Sequence, residues 1–155
     1  MPKVIINDSQ GLYQSSGSGV EISGVSLDIT GELRGAKKEI IAASATLTLA
    51  DSGAVLIPTA GSAQTFTLPA VATAAGFHVT FMAGSEQAHV IAAPTAAIEG
   101  VIFDNTNGTT LARNPVTGIT SITLVNPKVG DYISIVGNGT SYYVFGWCNN
   151  TPTLA

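Results

Sequence analysis

Charged side chains are scarce in this chain: 16 of its 155 residues are Asp, Glu, Lys or Arg, where an ordinary globular protein has about a quarter. Basic residues are scarcer still. There are six against ten acids, for a net charge of −4, and three of the six fall within Arg34–Lys38. A protein that holds nucleic acid through its phosphates carries a basic face, so this composition speaks against a nucleic-acid partner. Cysteine is nearly absent. A lone Cys148 cannot close an intrachain disulfide, and so no disulfide framework marks the chain as secreted. No run approaches the ~18 apolar residues of a membrane span. The opening Met1–Asp8 lacks the apolar stretch and cleavage pattern of a signal peptide. The expectation is a protein made in a cytosol that stays soluble.

Reactive groups that converge are also missing. Cys148 has no histidine at a spacing that promises a base, which a thiolate nucleophile requires; it reads as a small, half-buried residue of the last strand. There is no Gly-x-Ser-x-Gly elbow, no phosphate loop and no Gly-rich strand-to-helix turn. Ser18, between Gly17 and Gly19, belongs to a flexible segment. After residue 40 the acids are Asp51, Glu86, Glu99, Asp104 and Asp131. Asp51, Asp104 and Asp131 stand beside Ser, Gly, Asn or Thr, where Asp caps or shapes turns; Glu99, in an apolar stretch before Gly100, has no such explanation. The two histidines, His78 and His89, fall at outward-facing strand positions. A metal site would need several such ligands together, which one histidine per subunit could supply only around a trimer axis. The sequence therefore predicts no catalytic residues, no resident metal and no cofactor. Four Asn-x-Ser/Thr sequons, at Asn7, Asn107, Asn138 and Asn149, are by-products of Asn- and Thr-rich turns.

What fills the space left by charge is Thr, Ser, Gly and Ala. Thr is β-branched and suits a pleated sheet, and a hydroxyl loses its water at far lower cost than an ion does. A surface of this kind suits a protein that is covered by partners. The length is enough for one domain with its own core. The charges divide unevenly, with nine of the 16 in residues 1–40. Together with Gln14-Ser-Ser-Gly-Ser-Gly19, this marks residues 1–38 as an extended arm. Residues 39–150 then form the compact domain and 151–155 a C-terminal tail. The arm's apolar residues Val4, Ile5, Ile6, Leu12, Tyr13, Val20 and Ile22 are candidate partner contacts, because an extended segment can add itself to a sheet edge, its own or a neighbour's.

Strand signals are dense from Ile40 onward. Ala45-Thr-Leu47-Thr-Leu49, Thr65-Phe66-Thr-Leu68 and Phe77-His-Val79-Thr-Phe81 alternate. Ala54–Ile57, Ala88–Ala92, Ile98–Phe103, Ile122–Leu124, Ile133–Ile135 and Tyr142–Trp147 follow the same short pattern. Turn residues separate them, above all Asp51-Ser-Gly53, Asp104–Gly108 and the hairpin signal Asn138-Gly139. Helical signals are confined to Glu32–Ile41, interrupted by Gly35, and one turn in Ala70–Ala75. Short strands at this spacing predict an all-β, antiparallel, jelly-roll-like sandwich, with a small barrel as the alternative. Aromatic residues cluster late. In Tyr142–Trp147, alternation places Tyr143, Phe145 and Trp147 on one face and Tyr142, Val144 and Gly146 on the other, so that one face meets the core and the other can meet a partner.

Several of these pieces resemble a module of bacteriophage virion proteins: Thr46-Leu-Thr-Leu49, Asp51-Ser-Gly53, Thr65-Phe-Thr-Leu68-Pro69, Ala75-Gly76-Phe77, then Gly130-Asp131, Ile133-Ser-Ile135, Gly137-Asn-Gly139-Thr140 and Tyr143-Val144. The module is found in head decoration (cement) proteins and in tail-fibre tips. The likeness spans residues 45–147 and leaves out the arm. It implies a trimeric β-sandwich without catalytic residues, made in the bacterial cytoplasm and mounted on the outer surface of the capsid. Its partners would be the major capsid protein and its own copies, with no nucleic acid and no membrane. The competing implication is a receptor- or glycan-binding fibre domain.

Overall fold

Alternating short strands bury one side chain in two, and most of the twelve strands among the described residues do so around a common core. The computed structural model describes residues 40–106, 108 and 111–155; the arm, with Val4, Ile5, Ile6, Leu12, Tyr13, Val20 and Ile22, lies outside the described residues. The strands are β1 (Ile40–Ile41), β2 (Ala45–Thr46), β3 (Val55–Leu56), β4 (Thr65–Thr67), β5 (His78–Met82) and β6 (His89–Ala92), then β7 (Ile98–Asp104), β8 (Ala112–Ile119), β9 (Ser121–Leu124), β10 (Tyr132–Gly137), β11 (Tyr142–Cys148) and β12 (Thr153–Leu154). They form a seven-stranded sheet, β1-β3-β5-β10-β11-β7-β8, and a five-stranded sheet, β12-β9-β6-β4-β2. The described residues thus form an all-β sandwich, as expected, and not a closed barrel.

Strand direction departs from the expectation. Both sheets are mixed: β1-β3, β3-β5, β2-β4, β4-β6 and β11-β7 pair in parallel. The cause is the route of the chain. From β1 to β6 each successive strand joins the opposite sheet, so neighbours within a sheet are two strands apart in sequence and run the same way. The opposite sheet serves as the crossover that a parallel pair needs. Apart from the parallel β11-β7 pair, the remaining strands extend both sheets with antiparallel pairs, including β10-β11 across Asn138-Gly139. There the Asn138 side chain accepts hydrogen bonds from the Thr140 and Ser141 N–H groups, both 2.8 Å.

The register stacks the core in rows. In the larger sheet Ile41, Leu56, Phe81, Ile133, Gly146 and Ile102 stand abreast. Facing them in the smaller sheet are Ala45, Phe66, Ile91, Ile122 and Leu154. Phe66 meets Phe81 edge to face across the sandwich, with ring centroids 6.0 Å apart. Tyr142, also buried, packs edge to face on Phe77 and donates its hydroxyl hydrogen to the Pro69 carbonyl at 2.8 Å. Burial of such side chains stabilises the fold by roughly 1.5–3 kcal/mol each.

Three further expectations change, and one, the single turn in Ala70–Ala75, holds. Ile40–Ile41, read as the end of a helix, is strand β1, the rest of that candidate lying outside the described residues. Thr153–Leu154, assigned to a tail, adds a strand to β9, and the Ala155 carbonyl accepts from the Thr120 and Ser121 N–H groups. Cys148 is fully buried, not half-buried, and β12 follows its strand. The turn in Ala70–Ala75 is one 3-10 turn, Val71–Thr73. On the outer edge of the larger sheet lies β8, whose Pro115 lacks an N–H and interrupts the row of donors that would otherwise invite another strand.

Candidate functional site

Alternation along each strand and register between strands together decide what the larger sheet shows on its outer face. One row crosses all seven strands: Ile40, Val55, Thr80, Ser134, Phe145, Val101 and Pro115. None is charged. A second row holds Met82, Tyr132, Trp147, Phe103 and Arg113, and a third His78, Val136, Tyr143 and Glu99. Phe145 keeps 52% of its surface exposed and Tyr143 49%. Phe145 lies edge to face with Phe103 at 6.0 Å between centroids. These rows are mainly aromatic and aliphatic, with hydroxyls at Thr80 and Ser134, and among the described residues their charged groups are Glu99 and Arg113. Contiguous apolar surface of this extent marks an interaction site more often than a free surface.

The hairpin face carrying Tyr143, Phe145 and Trp147 was legible from alternation. Tyr132 belongs to the same late aromatic cluster in the sequence; Met82, Phe103 and Val136 do not, since only the register brings them alongside. The outer face of the smaller sheet has a different chemistry. Thr153, Thr123, Val90 and Thr65 form one row, and Ser121, Ala92, Thr67 and Thr46 the next. It carries hydroxyls and small apolar groups with no charge at all.

The other titratable groups are structural. His89 is fully buried, which overturns its reading as an outward-facing residue; its strand turns it inward, where its ring tilts against Phe81. Its Nδ1 accepts from the Gln64 N–H at 3.2 Å and its Nε2 lies 3.0 Å from the Ser85 hydroxyl. His78 faces outward beside Ser52, so the two histidines share no face. Among the described residues no group of three or more His, Cys, Asp or Glu could hold a metal ion.

Asp51 accepts from the Thr48 N–H and hydroxyl, the capping role expected of it. Asp104 is buried where β7 ends. Burial alone would raise its pKa, but hydrogen bonds from Asn114 and Thr106 outweigh that and hold it below the usual carboxylate value. Burial, with Asp131 and Asp104 nearby, pushes the Cys148 thiol up to about 12. A thiol held protonated in this way is a poor nucleophile. Glu86 pairs with Lys128 at 2.9 Å on the surface. No helix among the described residues is long and apolar enough to cross a membrane.

Burial lowers the pKa of His89 below its ordinary value of 6.5. The folded state thus prefers the neutral ring, whose Nδ1 has to stay free to accept. That contribution is complete above pH 6.5 and is lost as pH falls toward the lowered value, because the unfolded chain takes up the proton first. Urea unfolding of the wild type should show stability declining as pH drops below 6.5, with a further decline below about pH 3.8 as Asp104 is titrated. In a His89→Gln variant the first decline should vanish and the second remain.

No protein-family model matches the chain, and neither a curated protein nor a solved structure matches it.

Proposed function

We propose that the protein is a structural virion component that binds the outer surface of an assembled phage capsid as a homotrimer and stabilises the shell. The observation that carries this reading is a sandwich whose two outer faces are nearly free of charge, one lined by hydroxyls and small apolar groups, the other leaving Phe145 and Tyr143 about half exposed. A face of that composition is more stable covered than wet. The hydroxyl-lined face on the other side desolvates without stranding an ion. Taken with the module resemblance over residues 45–147, these features fit a body whose work is adhesion. The mechanism is mass action: a ligand of the assembled shell alone stabilises that state by RT ln(1 + [L]/Kd), about 2.7 kcal/mol at a hundredfold excess over Kd. Three linked copies add avidity.

Quantitative gel densitometry of purified virions tests this. Hundreds of copies per particle, released as the shell is stripped of its surface proteins, are expected for a decoration protein. The exposed rings of Tyr143 and Phe145, beside the half-buried Trp147, also suit stacking on sugar rings, which is the observation favouring a fibre-tip domain. A few tens of copies, located at the tail, would replace the first reading with that one.

A further inference from the structure

We infer that the aromatic outer face of the seven-stranded sheet is the contact between copies of this chain, leaving the hydroxyl-lined face of the smaller sheet for the shell. The inference rests on the adhesion reading above and deepens it by assigning a partner to one face.

Three features of the face select a second copy as its occupant. The first is size. The five longer strands, about 4.8 Å apart and about six residues long, make a patch of roughly 19 by 20 Å, which the two-residue strands β1 and β3 extend to on the order of 450 Å². That is more than half of the ~800 Å² each partner contributes to an ordinary specific interface. The second is composition. Aromatic residues and methionine are enriched at interface cores and ionic groups depleted, and the central row is uncharged from Ile40 to Pro115.

The third is charge. The two flanking rows end in opposite signs, Glu99 beside Tyr143 and Arg113 beside Phe103. A copy placed with its acidic row over its neighbour's basic row satisfies both. The same complementarity serves a pair or a closed ring of three. A face built for a foreign surface of one sign would instead carry charges of the other sign. Phe145, in the central row and most exposed of the aromatics, is the natural anchor.

Light scattering coupled to size exclusion, on the full chain at micromolar concentration, tests the assignment. The wild type is expected to run as an oligomer. Phe145→Glu is expected to run as a single chain with an unchanged far-ultraviolet circular dichroism spectrum, because that side chain points away from the core. Glu99→Lys and Arg113→Glu should each weaken association about tenfold, and the double variant should restore it. A monomeric wild type, an oligomer unaffected by Phe145→Glu, or a double variant no better than the singles would overturn the inference. Shell binding by a monomer would remove this contact and the trimer, and leave binding to the shell standing. An oligomer that ignores shells would do the reverse.

Discussion

Gly100→Ala is expected to be the most damaging single-methyl change in the described sandwich. Gly100 sits in β7 with φ +136°, a backbone conformation that side-chain-bearing residues rarely adopt, at a cost on the order of 1–3 kcal/mol. Its strand pairs in parallel with β11, where it stands opposite Val144. A Cβ built at Gly100 falls on the carbonyl oxygen of Val144, deep inside van der Waals contact, and also meets the backbone C and N of that residue at 2.9 Å. Backbone cannot rotate away as a side-chain end can. Either β7 leaves β11 or the chain relaxes around Gly100, and the neighbouring register shift between β7 and β8 moves with it.

The total cost is put at about 4 kcal/mol, which reaches the range reserved for a few named mechanisms and is a large share of a domain's stability of about 5–15 kcal/mol. In thermal denaturation followed by circular dichroism, the variant should melt roughly 15 °C or more below the wild type. Gly61→Ala, where a Cβ meets nothing within 4 Å, is the control and should change stability by no more than about 0.5 kcal/mol. A Gly100→Ala melt within a few degrees of the wild type would mean that β7 and β11 are not paired in this register.

Asp131→Ala should follow closely. The carboxylate is buried at the start of β10, where it joins the two ends of the β10–β11 hairpin. One oxygen accepts from the Lys128 and Asn149 N–H groups, each at 3.0 Å, and the other from the Asn149 side-chain amide at 2.6 Å. Alanine removes the acceptor and strands three donors, and stranding costs more than a hydrogen bond contributes net, at about 1–3 kcal/mol per group. Water entering the corner recovers part of this, so a loss of about 3–4 kcal/mol in urea unfolding is expected.

Asp131→Asn keeps one accepting oxygen and should fall between. Glu86→Ala, by contrast, breaks an ion pair whose side chains are 59% and 53% exposed and should cost no more than about 0.5 kcal/mol. Equal losses for Asp131→Ala and Glu86→Ala would show that Asp131 does not hold the hairpin closed.

These two sites differ in how far the chain alone announces them. Gly130-Asp131 reads as a turn with a capping acid, and the structure keeps that role while adding Asn149, which lies 18 residues away in sequence. Gly100 stands in an otherwise ordinary apolar run. Nothing local requires a glycine there, because the group that excludes a side chain belongs to another strand.

The same division runs through the whole protein. Period-two alternation is a local property, since successive side chains of a strand leave on opposite faces. Together with the turn residues Asn138-Gly139, it was enough to establish the β class, the hairpin they close, and the opposition of Tyr143, Phe145 and Trp147 to Tyr142, Val144 and Gly146. Strand direction is not local. Short strands divided by turns suggest antiparallel neighbours until it is known that the first six alternate between sheets. His89 was misplaced for a related reason: Val90 and Ala92 on one side and His89 and Ile91 on the other are both compatible with burial. Only the packing of one sheet on the other turned the histidine inward. Thr153–Leu154 is too short to show a period and became a strand because β9 offered it an edge.

The sequence by itself therefore determined most of the strands and which faces of a hairpin go together, because backbone geometry makes those choices within a few residues; β8, which buries one residue in eight, and the two-residue strands β1 and β12 carry no such pattern. Register and sheet order decided that Met82, Phe103 and Val136 join Tyr132 and the hairpin aromatics in one outward-facing band, because those neighbours are set by hydrogen bonds between segments far apart in the chain.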